Sequence, residues 1–207
     1  MSPKVSDDYK KKKKNELLQA ARDVFIREGY AHATMQDIID EAGVSRGALY
    51  SYFSNIEHVF REVLQAEDQE DINYFEQDDL TSFWEQFTNW IEVQQKSIEA
   101  INKSLLLCKA EFFITTHYEK NKEGNPYITE RYEKLVTSVK RFIEKGTEKG
   151  EFHPCFPPDN IALYLISFID GLMLDTFNLG IERTKVNEQL KILLFTLKQM
   201  LCPIIKR

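Results

Sequence analysis

The apolar residues of this chain recur every three or four positions, which is the spacing of one face of an α-helix. Leu17, Ala21 and Val24 show this spacing first and predict a helix that ends at Gly29. No stretch alternates apolar and polar residues for more than a few positions, and no segment repeats. The pattern therefore predicts an all-α fold of about nine helices. They cover residues 10–28, 34–41, 46–52, 56–77, 80–91, 103–118, 127–149, 159–179 and 185–201.

Two of the predicted helices are short and lie next to each other. Thr34 and Ser45 are placed to cap them, because such side chains accept hydrogen bonds from the free N–H groups of a first turn. Gly43 lies in the tight turn between them, where a positive φ is useful. Helices this short are unstable alone, so we expect a small shared core with the first helix, made of Ile38, Ile39, Ala42, Val44, Leu49 and Phe53. Two short helices joined in this way predict a helix-turn-helix.

The second short helix carries residues suited to a DNA major groove. The N-terminal residues of such a helix contact base edges, and here they are Arg46, Gly47 and Ala48. Arginine can donate two hydrogen bonds to guanine, which is worth about 1–3 kcal/mol of discrimination. Phosphate contacts are expected from the hydroxyls of Thr34, Ser45, Tyr50 and Tyr52. The lysines are expected to neutralise phosphates or to reach into a minor groove: Lys10, Lys11, Lys12, Lys13 and Lys14. The alternatives are that the tyrosines are half-buried aromatics and the lysines a solvated tail.

Residues 16–59 resemble the N-terminal signature of the TetR family of repressors. The resemblance rests on A-R-D-V-F-I-R-E-G-Y, which begins at Ala21, and on the later pattern T…I…AGVS.G.LY.YF. It implies the phosphate and base contacts given above. One position departs, since the family usually has a lysine two or three residues after the YF pair, where this chain has Asn55 and Ile56. We expect the contact with the DNA backbone to rely instead on Asn55, on the exposed amides of that helix N-terminus, or on the lysine arm.

The resemblance also implies a ligand-released homodimeric repressor on a palindromic operator. Two recognition helices would then lie about 34–36 Å apart, one turn of DNA. An effector would move the helix over residues 56–77, which joins sensor to head, and so change that spacing. Activation of a target gene in place of repression stays open.

The chain is predicted to divide into a DNA-binding domain over residues 1–56, with a lysine-rich N-terminal arm, and a ligand-binding and dimerisation domain over residues 57–207. The second part holds 12 of the 14 phenylalanines and both tryptophans. Aromatic residues there could line an apolar pocket or simply fill a core: Phe83, Trp84, Phe87, Trp90, Phe112, Phe113 and Tyr132. The expected effector is planar or lipophilic and weakly basic.

The last two predicted helices carry a dimerisation surface. Residues 159–179 are apolar on nearly all sides, so that helix must be covered on two faces. We expect the pair to meet its two-fold mate in a four-helix bundle, although burial inside one subunit is the alternative. The interface residues expected are Ile161, Leu165, Phe168, Ile169, Leu172, Leu190, Leu194 and Leu197.

Charge and composition narrow the function further. The formal net charge is −6, but residues 1–60 are neutral overall and concentrate five lysines near the N-terminus. Three separated cysteines predict structural thiols and not a disulfide framework, and a redox-sensing cysteine is the alternative. The four histidines lack metal-ligand spacing, so neither a metal nor a cofactor is predicted. No signal peptide or membrane span is recognised, and a cytoplasmic protein is expected. A small-molecule carrier is the rival function, and an enzyme lacks any convergent acid, base or nucleophile.

Overall fold

The computed structural model describes residues 7–76, 82–115 and 126–204, and every long regular element in these ranges is an α-helix. The helices are α1 (Asp7–Glu28), α2 (Met35–Ala42), α3 (Arg46–Tyr50), α4 (Ile56–Glu76), α5 (Phe83–Glu99), α6 (Leu106–Thr115), α7 (Pro126–Glu148), α8 (Pro158–Leu179), α9 (Ile181–Thr184) and α10 (Val186–Leu201). A 3₁₀ turn, Ile101–Lys103, precedes α6. The all-α prediction is confirmed, and the nine predicted helices correspond to α1–α8 and α10.

Several helix ends differ from the prediction for local reasons. Helix α6 begins at Leu106 and not near residue 103, because Ser104 is extended and its hydroxyl accepts a hydrogen bond from the Leu106 N–H. Helix α10 follows Lys185, whose φ of 47° separates it from the single turn α9. The predicted end of the sixth helix near residue 118 lies outside the described residues.

The lysines at the N-terminus are part of a helix and do not form an extended arm. Residues 10–14 all lie within the first turns of α1. Lys13 pairs with Glu16 at 3.0 Å, and Lys14 pairs with Glu62 of α4 at 2.8 Å. Helix α1 thus begins before the lysine run, at Asp7 and not at residue 10 as predicted.

Two apolar clusters fill the protein, and α4 contributes to both. The head cluster joins α1, α2 and α3 to the first half of α4, and it also takes in Cys108, Phe112 and Tyr127 from later in the chain. The body cluster packs α5, α7, α8 and α10 around Phe87, Phe142 and further apolar side chains, and Phe75 near the end of α4 belongs to it. The expected boundary between residues 56 and 57 therefore does not separate the packing of the two parts.

Helix α8 is both long and strongly apolar. By length and composition alone it could cross a membrane, but core helices of soluble proteins pass the same criterion. It packs against α5, α6, α7 and α10. These contacts cover the inner side of the helix and account for the apolar residues there.

Candidate nucleic-acid interface

The helix-turn-helix begins at a capping box on α2. The Thr34 hydroxyl accepts a hydrogen bond from the Asp37 N–H at 3.2 Å, and the Asp37 carboxylate accepts one from the Thr34 N–H at 2.9 Å. The Thr34 hydroxyl also donates to the Asp37 carboxylate at 2.7 Å, and this bond, together with the one from the Thr34 N–H, holds the pKa of Asp37 below its usual value. Gly43 ends α2 with a φ of 60°, a conformation that favours glycine.

Helix α3 is held by one cap and two buried side chains. The Ser45 hydroxyl accepts a hydrogen bond from the Ala48 N–H at 3.3 Å. Leu49 is fully buried and Phe53, just after the helix, is 1% exposed in the head cluster. A five-residue helix cannot persist alone, so this burial is what fixes its orientation.

The opposite face of α3 is open. Arg46, Gly47 and Tyr50 are exposed, and Ala48 is half-buried. The Arg46 guanidinium carbon lies 5.3 Å from the centre of the Tyr50 ring, a cation–π contact that directs the arginine along the helix surface. A Cβ added at Gly47 would meet no atom within 4 Å. Packing within the described chain therefore does not require glycine at this position.

The other residues predicted to contact phosphates differ in how far they are exposed. Tyr52 is half-buried, with its ring centre 6.2 Å from that of Phe53. Asn55 is exposed, and its side-chain oxygen accepts a hydrogen bond from the His58 N–H at 2.8 Å, so it caps α4. Lys10, Lys11 and Lys12 are exposed. The side-chain oxygen of Asn55 is therefore already engaged within the protein.

We did not predict from the sequence a series of polar contacts beside this surface, which links Ser54, His58, Glu62 and Lys14. His58 Nδ1 accepts a hydrogen bond from the Ser54 N–H at 3.2 Å, and His58 Nε2 lies 3.6 Å from a Glu62 carboxylate oxygen. Glu62 in turn holds Lys14. The i,i+4 spacing of His58 and Glu62 was the available signal.

Glu111 of α6 joins the body to the head. Its carboxylate accepts hydrogen bonds from the N–H groups of Tyr30 at 2.7 Å and Ala31 at 3.2 Å, just beyond the end of α1. Gly29 has a φ of 78°, and a Cβ there would lie 3.2 Å from the same carboxylate. Nearby, the Cys108 thiol donates to the Phe25 carbonyl at 3.0 Å. Burial raises the pKa of Cys108 to about 12, which makes it a structural thiol.

Two ion pairs whose cations are buried tie the middle of α4 to the body. Lys109 of α6 contacts Glu67 at 2.5 Å, and Arg131 of α7 contacts Asp68 at 2.8 Å. Burial alone would lower the pKa of Arg131, but the Asp68 carboxylate outweighs it and raises that pKa. Breaking such a pair on one side leaves a buried charge unpaired, which is costly.

Comparisons with known proteins agree with this geometry. The model for bacterial regulatory proteins of the tetR family matches residues 17–63, and the model for tetracyclin repressor-like C-terminal domains matches residues 86–187. YfiR of Bacillus subtilis, named as an uncharacterized HTH-type transcriptional regulator, is 30% identical over 203 residues, which cover 96% of this chain and 98% of that protein. This chain belongs to the TetR family. It is a helix-turn-helix transcriptional regulator and not an enzyme.

Further relatives support the same family and fold. The B. subtilis HTH-type transcriptional regulator YhgD is 26% identical over 183 residues, 79% of this chain and 83% of that protein. GusR of Salmonella enterica superposes with a TM-score of 0.71 at 16% identity, over 95% of this chain and 98% of GusR. The fatty acid degradation regulator FadR of Bacillus halodurans superposes with a TM-score of 0.64 at 21% identity, over 88% and 94%. At these identities the two structures bear on the fold alone.

In this TetR-family regulator the aromatic residues predicted as one pocket fall into two groups. Phe83, Phe87 and Trp90 pack in or against the body cluster, where Phe83 and Phe87 lie 5.1 and 5.7 Å from Phe142. Trp84 and Tyr132 lie at the edge of that cluster. Phe112 and Phe113 belong to the head cluster instead. The seven side chains therefore do not surround one space, because α6 packs towards the head.

Most of the residues predicted at the dimer interface are buried within one chain. Six of the eight are at most 8% exposed in the body cluster: Ile161, Leu165, Ile169, Leu172, Leu190 and Leu197. Phe168 and Leu194 are half-buried. These six side chains pack within their own subunit, on the inner faces of α8 and α10, and form part of its core.

Proposed function

We propose that this TetR-family regulator is a homodimeric repressor that binds a palindromic operator through α3 and is released by a small molecule. The open face of α3 carries the proposal. Arg46, Gly47 and Tyr50 project from a helix whose inner side is anchored by Leu49, and the glycine has no packing reason of its own. Arg46, Gly47 and Ala48 contact bases, while phosphates are held by residues around them.

The phosphate contacts come from both sides of α3. Thr34 and Ser45 lie at the helix N-termini, Tyr50 and Tyr52 at the end of α3, and Asn55 at the start of α4. Lys10, Lys11 and Lys12 add positive charge from the exposed face of α1, and Lys13 and Lys14 do so once DNA competes with their carboxylate partners. We assign residues 1–56 to DNA binding, residues 57–207 to ligand binding and dimerisation, and the protein to the cytoplasm.

Dimerisation uses the outer faces of α8 and α10. Apolar side chains remain exposed there, with Ile192 at 63%, Phe195 at 66% and Leu163 at 39%. Gly171 is exposed on α8, and a Cβ at this position would meet nothing within 4 Å, which favours close approach of another helix. Half-buried Phe168 and Leu194 extend this surface. Pairing of α8 and α10 with their two-fold copies buries it in a four-helix bundle.

Release depends on α4, because it is shared between the two clusters. Its first turns belong to the head, while Glu67 and Asp68 bind Lys109 and Arg131 of the body. A ligand that repacks the body moves α4 and with it the two heads. The separation of the recognition helices then no longer matches half-sites about 34–36 Å apart, and a difference of a few kcal/mol between the states suffices.

A selection of random duplex DNA on the purified protein tests the proposal. We expect a palindromic consensus with half-sites one helical turn apart, bound by one or two dimers. Enrichment of a non-palindromic sequence by a monomer would contradict the dimer, and no enrichment at low salt would favour a small-molecule carrier. A ligand that binds without changing operator affinity would contradict the release step.

A further inference from the structure

A small internal cavity of about 40 Å³ lies where α4, α5, α6, α7 and α8 meet. Its polar lining consists of Asp71, Gln94, Lys109, Arg131 and Asp170. The remaining lining is apolar or aromatic: Trp90, Leu106, Leu135, Ile166, Ile169 and Met173. The volume corresponds to about three water molecules.

The charges around this cavity do not balance. Lys109 and Arg131 are the only cations in its lining, and each already contacts its own carboxylate on α4. Two further carboxylates remain. Asp71 accepts hydrogen bonds from uncharged donors, the Trp90 indole at 2.9 Å and the Gln94 amide at 3.4 Å. The site thus holds four carboxylates against two cations.

Asp170 is the least satisfied of the four. Within the described residues the half-buried Asp170 carboxylate on α8 lines the cavity and has neither a hydrogen-bond nor an ion-pair partner. Arg131 and Lys109 are near enough to favour its charge, but burial outweighs them and raises its pKa. Burial likewise raises the pKa of Asp71. A further positively charged group would therefore stabilise the ionised forms of both carboxylates.

We propose that this cavity is the effector site and that it takes the protonated amine of an organic cation, held by Asp170 and Asp71. The inference rests on the proposed ligand-released function. The ammonium supplies the missing charge and hydrogen-bond donors, the aliphatic walls pack on its carbon chain, and the Trp90 ring favours a cation beside it. Asp71 lies on α4 and Asp170 on α8, so one ligand connects the helix that carries the head to the core of the body.

The Arg131–Asp68 pair forms the outer wall of this site. Arg131 also lines a larger cavity of about 200 Å³ between α4 and α7, together with Asp68, Gln69 and Lys134. A cation longer than the inner cavity therefore reaches outward past Arg131. Such a ligand acts directly on the ion pair that fixes α4 to α7.

The test compares n-butylammonium with n-butanol, which has nearly the same shape and no charge. Binding is followed by calorimetry and by the melting temperature of the full chain, with sodium chloride added to equalise ionic strength. The variants are Asp170→Asn, which keeps the size of the side chain, and Asp175→Asn, an exposed carboxylate on the same helix. Asp71→Asn is a further test variant, so that the result does not depend on one substitution, and Asp175→Asn is the control. Operator binding is measured in parallel.

We expect saturable binding of n-butylammonium and not of n-butanol, weakened about 10- to 100-fold by Asp170→Asn and unchanged by Asp175→Asn. Binding should weaken at acid pH as Asp71 and Asp170 take up protons, while Glu67, Asp68, Lys109 and Arg131 are the other charged groups that face them. No saturable binding, or equal binding by the Asp170 and Asp71 variants, would overturn the inference. These results would leave the proposed function standing if the unmodified protein still bound its operator. If the unmodified protein did not bind an operator at all, the proposed function itself would be contradicted.

Discussion

Replacement of Glu111 by alanine removes the one carboxylate that fastens α6 to the end of α1. Its oxygen accepts a short bond from the Tyr30 N–H at 2.7 Å and a longer one from Ala31 at 3.2 Å. A hydrogen bond to a charged group contributes about 1.5–3 kcal/mol and an ordinary one about 1 kcal/mol. Because the Ala31 bond is exposed, we expect a total loss of about 2–4 kcal/mol, or roughly 4–16 °C in melting temperature for a chain of this length.

Thermal unfolding at one fixed protein concentration measures this loss. Glu111→Gln keeps an acceptor oxygen without the charge and should lose about half as much. Glu92→Ala, at an exposed position on α5, is the matched control and should melt within 1–2 °C of the unmodified protein, a shift of about 0.5 kcal/mol. If Glu111→Ala were as stable as Glu92→Ala, the contact would not hold the head to the body.

Three further predictions concern separate parts of the molecule. Gly47→Ala should raise the free energy of unfolding by about 0.5–1 kcal/mol, because alanine favours the helix. It should also weaken operator binding about tenfold, and unchanged binding would show that DNA does not approach closely at this glycine. Phe195→Asp should give monomers at micromolar concentration in sedimentation, while Val93→Asp, exposed to a similar extent on α5, should stay dimeric. Asp170→Asn should raise the melting temperature at neutral pH. Burial raises the folded-state pKa of this carboxyl, so its ionisation destabilises the fold as the pH rises, and the difference should vanish near about pH 3.5, where both side chains are neutral.

Local features of the sequence predicted the head well. The capping residues Thr34 and Ser45 act within three positions of themselves, and the apolar spacing of α1 needs no knowledge of distant elements. Contacts between distant residues could not be predicted in this way. Glu111 meets Tyr30 across 81 positions, and no periodicity signals that pairing.

In the body, too, the sequence predicted which helix faces are buried but not which elements cover them. An apolar stripe indicates that a helix face is buried, but not which element covers it. Ile161 and Leu190 were expected at a subunit interface and lie in the core of one chain, while Ile192 and Phe195 remain exposed. Phe112 likewise packs with Phe60 of the head, at 5.2 Å between ring centres, and not with the aromatic residues of α5.

The affinity of Arg46→Ala for the selected operator, relative to a random duplex, tests the central claim most directly. Arg141→Ala, an exposed arginine on α7, controls for the loss of one positive charge. If α3 reads bases through Arg46, operator affinity should fall about 5- to 150-fold, while affinity for random DNA changes little, since a bidentate contact to guanine contributes about 1–3 kcal/mol. An equal loss on both duplexes would make Arg46 a phosphate contact, and no loss on either would contradict recognition through α3.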